Sequence, residues 1–581
     1  MTPRLSPPDD PALHAWPWRL GLAWAAPVLA FGAAAVLGGS RASWRIADYF
    51  LAHDLVAAAV VAAALAALAI APLRAPWRID FDRPRLAIAF AAAAALAAVV
   101  GQRVVMLGYP LSMDEFMARF DAGIFQQGRL YAAAPETWRP FRLPLLPQFN
   151  LLAAAGASWT STYLPVNAMV LALFRRLGSE ALAGAAWTLL AAATLYGVAR
   201  RLWPDRRDAA VVAVLLMATS SQVLLMAMTP YAMAGHLALN LVWLWLFLDR
   251  RPGAQVAAVG VAFLACGLHQ VVFHPLFAAP FVLQALIGKR WGKVAFHTLA
   301  YALIGLFWLT YWQRVMPAGG AAAAGAAGSG MGIWLSRLEI VARDFSLDGL
   351  AVMAKNLFRF LTWQNPAAVA LGLVGAGVAL RRGGVLRYAA LGLMLMVAVV
   401  VFVMPYQGHG WGYRYLHGLI GSLCLLAALG WVRITDAVAE APRRALALGL
   451  AALTALSVLV LLPLRGWQAR AFIVPYAEAA AAIGRADADV VVVDTTGLHF
   501  GIDLVRNDPW LRNRPKVMDL VWLRPAGIRS LCAAHDVAVF DRRSGSKIPP
   551  ILYARRSLER LAQHRRAMAA LGCGQKRVIV P

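Results

Sequence analysis

The amino-acid sequence predicts an α-helical polytopic membrane protein, with about 13 transmembrane helices and a small C-terminal α/β domain. Three observations predict it. Of 581 residues, 61% are hydrophobic and 14% charged, and mean hydropathy is +0.62. A soluble globular chain is nearer a quarter charged. Apolar runs of roughly 20 residues, the length that crosses a bilayer, recur as far as Leu464. From Arg465 onward, short β-branched runs alternate with helical stretches instead. The expected division is 1–464 for the membrane domain and 465–581 for the α/β domain.

The formal net charge of +26 does not imply nucleic-acid binding. Most of it lies in short loops between apolar runs or after the last of them, where it fits topology signals and anionic lipid headgroups. Residues 1–17 are Pro-rich and polar with no cleavable signal, so the first apolar run is expected to stay as an anchor.

In chain order the first spans are Leu20–Gly39, Leu55–Leu73 and Leu86–Leu107. Arg74, Arg78, Arg83 and Arg85 follow the second, which makes that loop cytoplasmic by the positive-inside rule. The N-terminus is then inside and the loop after Leu107 outside, although Arg41 and Arg45 oppose this assignment. Trp159–Leu177 reads as a juxtamembrane or half-inserted helix. Further spans follow at Leu182–Arg200, Ala209–Met228, Met233–Leu248, Val256–Gly267, Leu276–Ile287, Ala295–Gln313, Ala367–Leu380, Leu391–Met404, Leu416–Val432 and Ala445–Leu464. Between them Ala318–Gly332, almost all Gly, Ala and Ser, is a flexible connector or a lid over an outer cavity.

The C-terminal domain then emerges outside. Its expected strands are Asp489–Asp494, Val517–Leu523, Val537–Asp541 and Arg577–Val580, with helices near Pro475–Ile483 and Ser557–Leu571. From Arg465 it holds 19 Lys and Arg against 10 Asp and Glu, a surplus of 9. Cys532 and Cys573 form a disulfide if their strands are neighbours in an oxidising compartment, or stay as two thiols. Cys266 and Cys424 sit in apolar runs as packing residues.

Chemistry concentrates in the loop from Tyr109 to Asn150, headed by Ser112-Met113-Asp114-Glu115-Phe116. Ser112 with Glu115 is a capping box, which opens a helix without any chemistry. Glu115 and Arg119 stand at i,i+4 and could pair. Met113, Phe116, Met117, Phe120 and Ile124 make one apolar face. Against that structural account, Asp114 is a candidate general base at a membrane surface. His269, Gln270 and His274 lie between two short apolar runs, either lining a cavity or marking an interfacial turn. The loop Pro405–Tyr415 carries His409, Tyr413 and Arg414. Its rings match an interfacial aromatic belt, and Arg414 could hold a phosphate at headgroup depth. No zinc spacing, CxxC, HExxH, Walker A or GxGxxG motif occurs.

This arrangement resembles the GT-C superfamily of integral membrane glycosyltransferases, nearest its protein mannosyltransferase and aminoarabinose transferase branch. The resemblance rests on Met113-Asp114-Glu115-Phe116, on Gly123-Ile124-Phe125-Gln126-Gln127-Gly128-Arg129-Leu130-Tyr131, on Tyr163-Leu164-Pro165 through Leu177-Gly178, and on Tyr413-Arg414-Tyr415. It departs from the family in placing three spans, not one, before the acidic pair, and in lacking a His-Pro-Pro-like start after Tyr163.

The resemblance implies an inner-membrane enzyme whose outer catalytic loop is 109–178. It would transfer a sugar from a polyprenyl-phosphate donor to a hydroxyl of a glycan, lipid or protein acceptor by inverting displacement. Asp114 is then the base, with Glu115 beside it. Arg414, helped by His409, Tyr413 or Arg119, takes the phosphate, and His269 and Gln270 line the site. No cofactor is expected; a divalent metal, used by some relatives, finds few outer carboxylates here. A transporter or lipid flippase would need internal repeats and mid-span carboxylates, and neither is clear. A non-catalytic envelope assembly protein, with Asp114 only capping a helix, is the other alternative.

Overall fold

A computed structural model describes residues 11–38, 45–70, 79–145, 149–153, 158–316, 347–403, 407–549 and 555–580. The Ala318–Gly332 stretch lies outside the described residues. The chain is a helical bundle that feeds into a small parallel sheet. Its helices are α1 (Pro11–Leu37), α2 (Arg45–Ile70), α3 (Pro84–Val104), α4 (Met113–Gln126), α5 (Val166–Arg176), α6 (Ala181–Leu202), α7 (Arg207–Ala218), α8 (Ser221–Ala227), α9 (Met233–Phe247) and α10 (Pro252–Cys266). Then come α11 (Phe273–Ile287), α12 (Trp291–Leu309), α13 (Leu347–Thr362), α14 (Pro366–Arg382), α15 (Val385–Val403), α16 (Ile420–Ala437), α17 (Glu440–Leu456) and α18 (Leu462–Gly484).

Among the described residues, seven helices are long and apolar enough to cross a membrane, or nine if two bent pairs each count once. The bent pairs are α7 with α8, at 59°, and α13 with α14, at 107°. Each break has a local cause. Ser220 caps α8 through Val223 N–H at 3.3 Å, and Asn365 caps α14 through Ala367 N–H at 2.9 Å, just before Pro366. The seven helices, the pair α7–α8, helix α14 and the four shorter apolar helices fall on the thirteen stretches read from the sequence, whereas α13 lies outside them. Three of the short ones, α9, α10 and α11, have 15 residues each and fall below the length a span needs by itself.

Close packing at the bundle centre comes from small residues. A Cβ on Gly375 of α14 would lie 1.8 Å from the Leu426 carbonyl oxygen, and one on Gly430 of α16 would lie 2.2 Å from that of Leu371. Two helices therefore touch backbone to backbone, as small-residue seams in membranes allow.

Two expectations are corrected. Trp159–Leu177 is not one helix: Ser158–Ser161 forms a strand, and α5 starts only at Val166. The strand wins because Asp121 accepts hydrogen bonds from Ser161 N–H and Thr160 Oγ1, and Pro165 then opens the helix. That strand, β3, is central in an antiparallel three-stranded sheet with β1 (Ala132–Ala133) and β2 (Asn150–Leu152). Glu115 and Arg119 do not pair either; Arg119 forms its ion pair with Glu180 and donates to Gly108 O at 2.7 Å.

Helical structure runs from Glu440 to Gly484, 45 residues, crossing the expected boundary at 464–465 without interruption. A π-helical turn at Ser457–Leu461 and an interior proline, Pro475, interrupt its regular hydrogen bonding. Beyond it, β4 (Val490–Val493), β5 (Lys516–Asp519), β6 (Val537–Phe540) and β7 (Lys576–Arg577) form a parallel sheet in the order β5-β4-β6-β7. All four valines of β4 are buried, the continuous apolar run of a strand covered on both faces. Helices α19 (Pro525–Ala534) and α20 (Arg555–Ala570) complete the domain. Cys532 and Cys573 form a disulfide that spans 41 residues of sequence.

Candidate active site

Helix α4 sets the position of the acidic pair. Ser112 sits in extended backbone as its N-cap, and the capping box is complete. Ser112 N–H donates to Glu115 Oε2 at 2.8 Å, and Glu115 N–H donates to Ser112 Oγ at 3.3 Å. Tyr231 OH lies 2.6 Å from Ser112 Oγ and extends the network. Glu115 is thus turned into the protein and buried. Burial pushes its carboxyl up to about 7, against the hydrogen bonds from Ser112.

Asp114, one residue earlier, faces the other way. Tyr163 OH donates to its Oδ1, and Arg414 Nη1 pairs with its Oδ2. Burial alone would raise the Asp114 carboxyl; the Arg414 guanidinium, the nearby His269 and the two hydrogen bonds outweigh it and hold the group below its ordinary value. The carboxylate is therefore ionised and fixed at both oxygens. His269 stacks on the Tyr163 ring with centroids 4.3 Å apart, and neither of its ring nitrogens has a partner among the described residues.

Arg414 is set in place by its own loop. Its backbone N–H donates to Gln407 Oε1 at 2.9 Å, and Gln407 Nε2 donates to Gly412 O at 3.0 Å. Gly412 has φ +72°, and a Cβ there would meet Gln222 Oε1 at 2.4 Å, so the turn requires glycine. The Arg414 guanidinium lies 5.3 Å from the Tyr231 ring centroid and 5.4 Å from that of Tyr415. Its Nε is buried without an acceptor among the described residues.

The structure thus brings Asp114, Arg414 and His269 together, with Tyr163, Tyr231 and Tyr415. Gln270 lies in the same turn as His269, half-buried, its Oε1 without a donor among the described residues. The other expected residues serve elsewhere. His409 Nε2 bonds Asp503 Oδ2 of the C-terminal domain at 2.8 Å, and its ring packs on Phe500. Tyr413 is fully buried, and its backbone is held by Gln222. Arg119 belongs to the Glu180–Arg175 cluster. His274 is satisfied by Asn240 Oδ1 at 2.8 Å and Tyr301 OH at 2.9 Å. Tyr163 and Tyr231 were not singled out as site residues from sequence, although both follow or precede a proline in a turn beside a span.

The C-terminal domain buttresses the same loop. Arg506 Nη2 donates to Leu111 O at 2.8 Å and stacks over Tyr109 at 4.1 Å. Trp159 Nε1 donates to Pro509 O at 2.7 Å. Among the described residues, no group of three or more His, Cys, Asp or Glu is placed to hold a metal ion.

No family model and no curated protein sequence matches the chain. Solved structures do resemble it. An oligosaccharyltransferase from Archaeoglobus fulgidus, in complex with Zn and sulfate, is 15% identical, over 68% of this chain, with a TM-score of 0.41. ArnT from Cupriavidus metallidurans, bound to undecaprenyl phosphate, is 14% identical over 73% of this chain and 85% of its own, with a TM-score of 0.43. The chain spans only about half, 55%, of the archaeal enzyme's chain.

Proposed function

We propose that the protein is a GT-C-type glycosyltransferase that moves a sugar from a polyprenyl-phosphate donor to an acceptor hydroxyl, with Asp114 as the base. One observation carries this reading: an ionised carboxylate at the N-terminus of α4, held at both oxygens by Tyr163 and Arg414, while the adjacent Glu115 only closes the helix cap. The motif resemblance around Asp114 and Arg414 supports the donor class.

In the reaction the acceptor oxygen attacks the sugar's anomeric carbon as its proton passes to Asp114. The bond from that carbon to the phosphate oxygen breaks, and polyprenyl phosphate leaves with the electron pair. The leaving group is already a phosphate, so it needs charge stabilisation rather than protonation. Arg414 supplies it. Protonation of Asp114 removes the guanidinium's partner just as charge grows on the phosphate. Glu115 keeps its place in the helix cap, and His269 and Gln270 line the acceptor side.

The site is assigned to the outer face of the cell's inner membrane. The positive-inside pattern supports this, as does the Cys532–Cys573 disulfide in the domain that buttresses the site. The test is release of polyprenyl phosphate from a panel of polyprenyl-phosphate sugars by purified wild type and Asp114→Asn, with envelope extract as acceptor. Release by wild type and not by the variant is expected. Equal release by both would remove Asp114 from the mechanism, and release by neither would remove the transferase reading.

A further inference from the structure

A second cationic centre lies at the same end of the bundle as Asp114, and the transfer chemistry does not use it. The first turns of α2, one face of α13 and residues 407–408 line a small cavity of about 20 Å³. Its polar wall is Asp54, Lys355, Asn356, Arg359 and Gln407.

Arg359 is 3% exposed. Its Nη2 donates to Gly410 O at 2.7 Å, and its guanidinium stacks 3.8 Å from the Phe50 ring centroid. Its Nε and Nη1 are buried and have no acceptor among the described residues.

The neighbouring charges do not supply one. Asp54 is taken by Arg465 at 2.7 Å and by Trp363 Nε1 at 2.7 Å. Asp48 holds Lys355 Nζ at 2.5 Å. Among the described residues, two carboxylates thus face three cations, and Arg359 is the one that neither carboxylate bonds. A buried guanidinium without a counter-ion is costly. An oxyanion accepting from the free Nε and Nη1 would satisfy it in the two-pronged geometry that arginine offers phosphates.

Depth narrows the ligand. In α2 the charged residues Asp48 and Asp54 precede the apolar run that starts at Leu55, so the cavity lies at the polar end of that helix, the level of a bilayer's headgroups. Gln407 forms the opposite wall and also receives the Arg414 backbone N–H. The two centres are therefore neighbours, while none of the cavity's wall residues hydrogen-bonds Asp114 among the described residues.

We propose that this cavity is a phosphate site whose ligand is the headgroup of an anionic membrane phospholipid, held by Arg359 and Lys355. The proposal is independent of the transferase reading.

The test is thermal unfolding of the full-length protein in phosphatidylcholine nanodiscs. Phosphatidylglycerol is titrated in, or inorganic phosphate is added to the buffer. Saturable stabilisation by phosphatidylglycerol beyond that given by phosphate is expected. Arg359→Gln should weaken the apparent affinity by about tenfold or more, the worth of a charge-assisted hydrogen bond. Ala47→Glu places a carboxylate in the cavity wall; it should stabilise the protein in phosphatidylcholine alone and abolish the response, which keeps the proposal testable if Arg359→Gln fails to fold. Asp114→Asn should respond as wild type does. A full response to inorganic phosphate alone would overturn the lipid assignment. Equal behaviour in the two lipids, or unchanged responses in both cavity variants, would overturn the site.

Discussion

Removal of one hydroxyl probes the central assignment. In Tyr163→Phe the ring is kept, with its stack on His269, while Asp114 Oδ1 loses the phenol that donates to it. A hydrogen bond to a charged group contributes about 1.5–3 kcal/mol, a factor of roughly ten to a hundred in an ionisation constant. The sign follows from which form the bond favours. The phenol stabilises the carboxylate, so its loss raises the Asp114 carboxyl, and the base becomes protonated at a higher pH than in wild type. Activity needs the ionised form. The acidic limb of the kcat/KM profile should therefore move to higher pH, while the rate on the alkaline plateau changes far less. The assay is polyprenyl phosphate release in nanodiscs across a pH series, with thermal unfolding as a check on folding. A variant whose rate falls by the same factor at every pH, with the limb unmoved, would refute the claim that Tyr163 acts through the ionisation of Asp114.

Three further outcomes are expected. Burial raises the Glu115 carboxyl from 4.5 to about 7, so the folded state binds more protons than the unfolded state between those values, and stability falls as pH rises through that window; Glu115→Gln should flatten this slope in unfolding measurements while keeping the cap and most activity. Gly430→Val forces a side chain against the Leu371 carbonyl and should destabilise the bundle by about 1–3 kcal/mol or more, read as a lower Tm in detergent. Loss of the disulfide in Cys532→Ser with Cys573→Ser opens a loop of 41 residues and should destabilise the C-terminal domain by about 4 kcal/mol in denaturant titrations; no change in the midpoint would show that the bridge does not form.

Much of the membrane layout was legible because a bilayer demands long apolar runs, and each expected run coincides with a helix or with part of a bent pair, although α13 was missed. The strands β4 and β6 were legible for a similar reason, as valine-rich runs buried on both faces. What failed was decided by partners distant in sequence. Strand β3 exists because Asp121 reaches it across 39 residues of chain. Arg119 turns from Glu115, four residues away, to Glu180, because the latter sits beside Arg175 as well. Within the candidate site, Asp114 and Arg414 were legible as unusual charges next to spans, and the structure joins them across 300 residues. His409 was equally conspicuous, yet its partner Asp503 lies in the other domain, and no local pattern announces that pairing. Arg359 escaped notice because helix α13 opens after a segment with no apolar run to mark it.

The helical stretch from Glu440 to Gly484 acts as a ruler about 68 Å long, at 1.5 Å per residue. A domain hung on a flexible tether could drift, but one carried on a continuous helix takes its bearing from that helix. Adding a single residue to α18 would swing the C-terminal sheet about 100° around the helix axis. Arg506, Pro509 and Asp503 would then leave Leu111, Trp159 and His409, although none of those six residues had been altered. The length of one helix thereby becomes part of the specification of a site that it does not touch.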